Sequence, residues 1–349
     1  MTSTPPGGQP PAPLRRPLRD VPTVDETPAP PPAPAGPVRP SPLPVGPTEY
    51  HHFLRTPRSA WWRGALAVVL TCVLFLVVQV VLLVPLTLVQ ALTGTELLRF
   101  QGTTMVLTPT LLAVTNVSIA AMIPISMLLQ RSLFGQPARW LHSVHGRFRW
   151  RFAARLTAVL LPVWLVYAGL LIWLFPEAAG AGGAAPTLAS TLLMLAVVVV
   201  STPFQAAGEE YAARGLLARS FGSWFASPRL ALIAALVGPN LLFMVAHGAG
   251  DWTLALYYLF FGLACTVLVW RTGGLEAAVV LHAVNNTTLF GLSAFVTSEV
   301  VIDRSAGSGG AMMLIPAAMI ALTTAALWWW SHRAGTARAA DPQAVGTAA

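Results

Sequence analysis

From Gly64 to Thr95 the chain carries no Asp, Glu, Lys or Arg. A helix rises about 1.5 Å per residue, so about 20 apolar residues cross a hydrocarbon core roughly 30 Å thick. One such run sets the class of fold, because no water-soluble surface is made from it. The remainder agrees: 55% of the 349 residues are apolar and only 10% charged, where soluble domains carry about 25%. The expected fold is all-α, a polytopic membrane protein. The net charge of +8 does not indicate nucleic acid. Every basic side chain is Arg, and the arginines flank apolar segments as orientation signals do. Cys72 and Cys265 each sit inside an apolar run, giving neither a disulfide framework nor a thiolate metal spacing.

Residues 1–57 hold more than half of the prolines, few aromatics and no apolar periodicity. This composition predicts a disordered, cytoplasmic, partly polyproline-II tail. It has no apolar stretch that would make it a secretory signal. A membrane domain is expected over 58–333, with its motif-bearing core at 187–290, then a flexible C-terminal tail over 334–349. About eight membrane helices are expected. They run Gly64–Leu92, Thr104–Gln130, Ala153–Phe175, Thr187–Gln205 with an extension, Leu230–Ala249, Trp252–Trp270, Leu275–Phe295 and Met312–Trp330. Arginines concentrate before the first segment, after the second, after the sixth and after the eighth, and the alternate loops are mixed and mildly acidic. Positive residues mark the cytoplasmic side, so both termini are expected in the cytoplasm of a cell whose inner membrane holds the protein.

Ionisable residues within the apolar segments are few, and at bilayer depth such residues are paired, turned inward and functional. Three segments carry them. The first contains Gln205, Glu209, Glu210 and Arg214; the second Asn240, Phe243 and His247; the third His282 and Asn286. For Glu209 to share a depth with the others, the fourth segment has to continue to about Gly222, bent near Pro203. Glu209 then lies about 20 Å from the cytoplasmic end, His282 about 14–16 Å and Asn286 about 20–22 Å. Glu210 and Arg214 are spaced i, i+4 and can pair; Glu209 is turned about 100° away and is uncommitted. His282 and Asn286 are also i, i+4. His51, His52, His142, His145 and His332 fall in tails or the basic loop and are expected to be solvated. The aromatic run at Tyr257, Tyr258, Phe260 and Phe261 is expected to face lipid or core. Asn240 is read as polar packing and Gln205 as lying behind Glu209.

A site that cleaves peptides needs a base to activate water and donors for the oxyanion. Glu209 with His247 can supply the first, and His282 with Asn286 the second. A zinc site is the competing chemistry, with Glu209, His247 and His282 as ligands and water in the fourth position. The cofactor is therefore none or zinc at this point. A proton-coupled transporter would also place Glu, Arg and His in helices, but it predicts broken helices in two matching halves, and no such internal symmetry is present.

The pattern Glu-Glu-x-x-x-Arg (Glu209, Glu210, Arg214), Phe-x-x-x-His (Phe243, His247) and His-x-x-x-Asn (His282, Asn286) resembles the CAAX protease and bacteriocin-processing family (CPBP, or Abi). The resemblance spans roughly 187–290. It implies an eight-helix bundle with a cavity reached from the cytosol or the membrane, and an intramembrane endopeptidase, often annotated in that family as a metalloprotease. Glu209 and His247 would activate water while His282 and Asn286 hold the oxyanion. The substrate would be a membrane-associated or lipid-modified polypeptide. The alternative it carries is a non-catalytic bacteriocin-immunity or scaffold protein of the same fold.

Overall fold

The structure is a computed structural model that describes residues 1–2, 41–101, 104–177, 184–298 and 300–346. Most of the Pro-rich tail, residues 3–40, lies outside the described residues, so the expected disorder there is not addressed.

Among the described residues seven helical stretches are long and apolar enough to cross a membrane, and the protein is an integral membrane protein. Helix α1 (Trp61–Thr93) ends where Gly94 adopts a left-handed conformation (φ 67°), which glycine takes without the steric cost of a Cβ. Helices α2 (Pro109–Ala120) and α3 (Met122–Phe134) form the second span, entered through the Thr108 cap and Pro109. Helix α4 (Trp150–Leu174) is the third. Helix α5 (Leu188–Glu210) starts with a capping box between Thr187 and Ser190, runs into a π-helical turn (Tyr211–Leu217) and finishes as α6 (Ala218–Ser223). The single helical rod to Ser223 is the extension that the depth argument required. Helices α7 (Pro228–Ala246), α8 (Trp252–Thr272), α9 (Glu276–Ser293) and α10 (Leu314–Arg333) complete the bundle, followed by the short α11 (Pro342–Gly346).

Two expectations change in detail. The second segment does not begin as helix at Thr104. Thr104–Leu107 is strand β3, between β2 (Arg99–Gln101) and β4 (Val300–Val301) in an antiparallel three-stranded sheet, and helix starts only at Pro109. The seventh expected span, α9, is not among the seven apolar helices, because His282, Asn285, Asn286 and two threonines dilute it. It has little need of lipid. Helix α9 packs along α5 and α4, and most of its side chains are buried. Lipid contact falls instead to helices such as α1, whose Val69, Leu76, Val80 and Leu88 are exposed.

The helices alternate, so the bundle has two distinct ends. At the basic end Trp224 donates to the Trp61 carbonyl, Arg55 to Ser223, and Arg149 grips Glu276 through two side-chain bonds of 2.9 and 2.6 Å. Trp61, Trp62, Trp329 and Trp330 are exposed there, as an interfacial belt requires. At the far end the three-stranded sheet and the loop after α9 gather over the helix tips.

Residues 41–57, read from composition as tail, are part of the bundle. Tyr50, Phe53 and Leu54 are buried. Arg219 lies beneath the Tyr50 ring at 5.0 Å and donates to Gln130 (2.5 Å) and Gln136 (3.1 Å), while Gln136 in turn donates to the Phe53 carbonyl. His51 and His52 are not solvated by default: their Nε2 atoms pair with the Pro228 and Phe225 carbonyls. His142 likewise pairs with the Tyr211 hydroxyl at 2.5 Å. The C-terminal stretch contributes β5 (Ala339–Ala340), which pairs antiparallel with β1 (Thr48–Glu49). The physical reason is common to all: a short amphipathic segment beside a membrane domain can bury its few aromatics against the helix ends, which composition averaged over a proline-rich stretch conceals.

Candidate active site

Glu209 and Glu210 are neighbours on α5 with different surroundings. Glu210 is fully buried, and its Oε1 accepts from Arg214 Nη1 at 3.0 Å and faces His282 Nδ1 at 2.8 Å. Arg214, equally buried, donates its other terminal nitrogen to Asn240 Oδ1 (3.1 Å) and lies 4.3 Å over the Phe243 ring. Asn240 passes the chain on to Thr266 at 2.9 Å. The i, i+4 pair expected from spacing is present, and it is one link of a network through α5, α7, α8 and α9. Close approach of α8 is what admits it: a Cβ on Gly262 would meet Asn240 Oδ1 at 2.5 Å and Arg214 Nη2 at 2.8 Å. Gly208, just before the pair, lets α5 touch α2, since a side chain there would run into the Ile119 carbonyl.

Glu209 turns to a cavity of about 570 Å³. Gln205 Nε2 donates to its Oε1 at 2.5 Å, and its Oε2 stands 3.6 Å from His282 Nε2 with no hydrogen bond among the described residues. His282 therefore sits between the two carboxylates, Nδ1 on Glu210 and Nε2 toward Glu209. Asn286, one turn along α9, accepts from Asn285 at 2.8 Å and donates to Gln205 Oε1 at 3.2 Å. Its remaining N–H is unassigned and Asn286 lines the cavity. His247 caps the end of α7, where its Nδ1 pairs with the Phe243 carbonyl at 2.8 Å, so Nδ1 carries the proton and Nε2 the lone pair. Its ring lies over Tyr258 with centroids 3.9 Å apart.

Glu209, His247, His282 and Asn286 thus line one cavity. Among the described residues Glu209 comes within ion-pair range of His282 rather than His247. Gln205 supports Glu209 through a direct bond to its carboxylate and also reaches the cavity wall. Asn285, Tyr258 and Phe261 belong to the site wall as well, Phe261 packing edge-on to His282 at 4.8 Å. Asn285 was not singled out beside Asn286, and an aromatic run inside an apolar helix carries no mark that tells a wall residue from a lipid-facing one. Among the described residues no three His, Cys, Asp or Glu side chains stand close enough together to hold one metal ion. The Glu209–His282 pair offers two donors, and a zinc ion would need His247 to join it.

Fold and site together define a polytopic helical membrane protein with carboxylate, imidazole and amide groups converging on an internal cavity. Residues 188–288, from the start of α5 into α9, match the Rce1-like family, described as type II CAAX prenyl endopeptidase Rce1-like. This is a CAAX protease family, of the kind the three motifs resemble, and the matched stretch contains Glu209, His247, His282 and Asn286. No curated protein and no solved structure matches the chain.

Proposed function

We propose that the protein is an intramembrane endopeptidase that hydrolyses a peptide bond in a membrane-associated or lipid-modified polypeptide, with Glu209 as the base. The single observation that carries this is the Glu209 carboxylate, with one oxygen oriented by Gln205 and the other buried 3.6 Å from His282 without a hydrogen-bond partner among the described residues, on the wall of a cavity shared with His247 and Asn286. Glu209, helped by the lone pair on His247 Nε2, takes a proton from water. The water oxygen then attacks the carbonyl carbon. The oxyanion formed is met by the Asn286 amide N–H and by His282 Nε2–H. The C–N bond breaks as the tetrahedral species collapses, and the proton held by Glu209 passes to the departing amine.

His282 can donate from Nε2 while Nδ1–H is on Glu210 only if it is an imidazolium. His282 stands between the two carboxylates, with Nδ1 2.8 Å from Glu210 and Nε2 3.6 Å from Glu209. The steps above use no metal.

The test is peptide mass spectrometry of membranes and medium from cells making the native protein or Glu209→Gln at equal levels. Cleavage products present with the native chain should fall by about 10²–10⁴-fold in the variant, the scale of losing a general base. Identical peptide profiles would refute the assignment.

A further inference from the structure

The cavity beside Glu209 belongs to one end of the bundle. Its loop-borne lining comes from Leu107 in β3, His247 at the tip of α7, and Ile302 and Arg304 in the connection after α9. Among the described residues none from the connections at the basic end, 135–149 or 273–275, reaches it or the adjoining cavity of about 580 Å³ that shares Glu209 and His247. The basic end is instead filled, with Tyr50, Phe53, Trp140 and Leu141 at most 1% exposed.

The far-end connection is held in place rather than hanging over the opening. The Gly250 N–H donates to the Arg304 carbonyl (2.8 Å) and the Gly307 N–H to Asp251 Oδ2 (3.0 Å). Arg304 itself is exposed, so the cavity meets solvent beside it. A second opening is lateral. Leu76 of α1 and Val245 of α7 line the adjoining cavity while 62% and 69% exposed on the apolar flank.

Charge distinguishes the two ends. The basic end carries Arg55, Arg58, Arg63, Arg131, Arg139 and the arginines of the 147–155 stretch, whereas the far-end loops hold Arg99 and Arg304 against Glu96, Glu177, Asp251, Glu299 and Asp303. An excess of arginine in short loops stays on the cytoplasmic side. We propose that substrate enters from the extracytoplasmic side, in departure from the cytosolic access that the family resemblance implies, so that this site acts on a polypeptide already exported or anchored in the outer half of the bilayer. This rests on the peptidase reading for what happens at Glu209, but the side of access is a separate matter.

The test uses full-length protein in which Cys72→Ser removes the half-buried thiol, leaving the buried Cys265. Single cysteines are placed at Ala306 in the far-end loop, Ala334 at the basic end and Thr115 in the cavity wall, with Leu107→Cys repeating the cavity measurement. Intact spheroplasts are treated with a membrane-impermeant maleimide before and after the membrane is opened. Ala306→Cys and the cavity cysteines should react in intact spheroplasts, and Ala334→Cys only after opening. The reverse pattern, or cavity cysteines that react only after opening, would overturn the proposal. Labelling needs no turnover, so a Glu209→Gln variant with an unchanged peptide profile would remove the peptidase reading and leave this result standing.

Discussion

Two adjacent glutamates illustrate how much one residue's rotation about a helix decides. Glu210 turns its Oε1 to Arg214 and His282; Glu209, about 100° around, faces the cavity. On α9, Asn285 donates to Asn286 and Asn286 donates to Gln205, and Asn286 has a second N–H left for a ligand. Asn286 also discriminates between the two chemistries open to this site, since a neutral amide is a good oxyanion donor and a poor zinc ligand. Asn286→Ala should lower turnover by about 10²–10³-fold, the scale for one lost oxyanion donor, while elemental analysis finds the same metal content as in the native protein. A variant that loses stoichiometric zinc along with activity would move Asn286 out of the oxyanion role. The Glu-Glu-x-x-x-Arg and His-x-x-x-Asn spacings made these residues visible in the sequence. Gln205 was visible too, one turn before Glu209, but its direct bond to the carboxylate depends on rotamers that spacing does not specify.

At the scale of elements, the π-helical turn at Tyr211–Leu217 follows directly on Glu210 and holds Arg214. Such turns are rare and cluster at functional sites. Arg214 links the rod formed by α5 and α6 to α7 through Asn240 and the Phe243 ring, so its loss is felt by three helices. Arg214→Ala takes the guanidinium away from the buried Glu210 carboxylate and should cost about 3–5 kcal/mol. The double variant Glu210→Gln with Arg214→Gln removes both charges and should be more stable than Arg214→Ala alone. Thermal melts in detergent decide this, and an Arg214→Ala protein that melts with the native one would refute the coupling. The pair itself was predictable, because i, i+4 spacing brings two side chains together on any helix. The third member, Asn240, was not: a contact between residues 26 positions apart depends on how α7 lies against the rod.

Across the whole molecule, the segment around Tyr50–His52 acts as a plug in the basic end, tied by Arg219, Gln130 and Gln136 beneath it and by β1–β5 pairing beside it. A chain without residues 1–39 is the reference for the stability of this plug. Removing 1–57 strips Tyr50, Phe53 and Leu54 from the core and leaves Arg219 facing an opened end. Each buried aromatic or leucine contributes roughly 1.5–3 kcal/mol, so the longer deletion should lower the melting temperature by several degrees or abolish expression. Equal melting of the two truncations would show that the plug carries no stability.

The sequence by itself determined that this chain lives in a membrane, because a long uncharged run has no other stable setting. It also determined which polar residues were worth attention, because ionisable groups in apolar helices are costly and rarely accidental. It placed the end of the fourth helix near Gly222 through the requirement that Glu209 share a depth with His282, and the rod ends at Ser223. Only the tertiary structure decided that Glu209 approaches His282, that α9 is shielded by α4 and α5, that residues 41–57 close the basic end, and that the cavity meets the far end. Those are consequences of helix rotation and packing between segments distant in the chain. Composition and periodicity report a residue's local environment, and the partners it meets are set by contacts that no local pattern records.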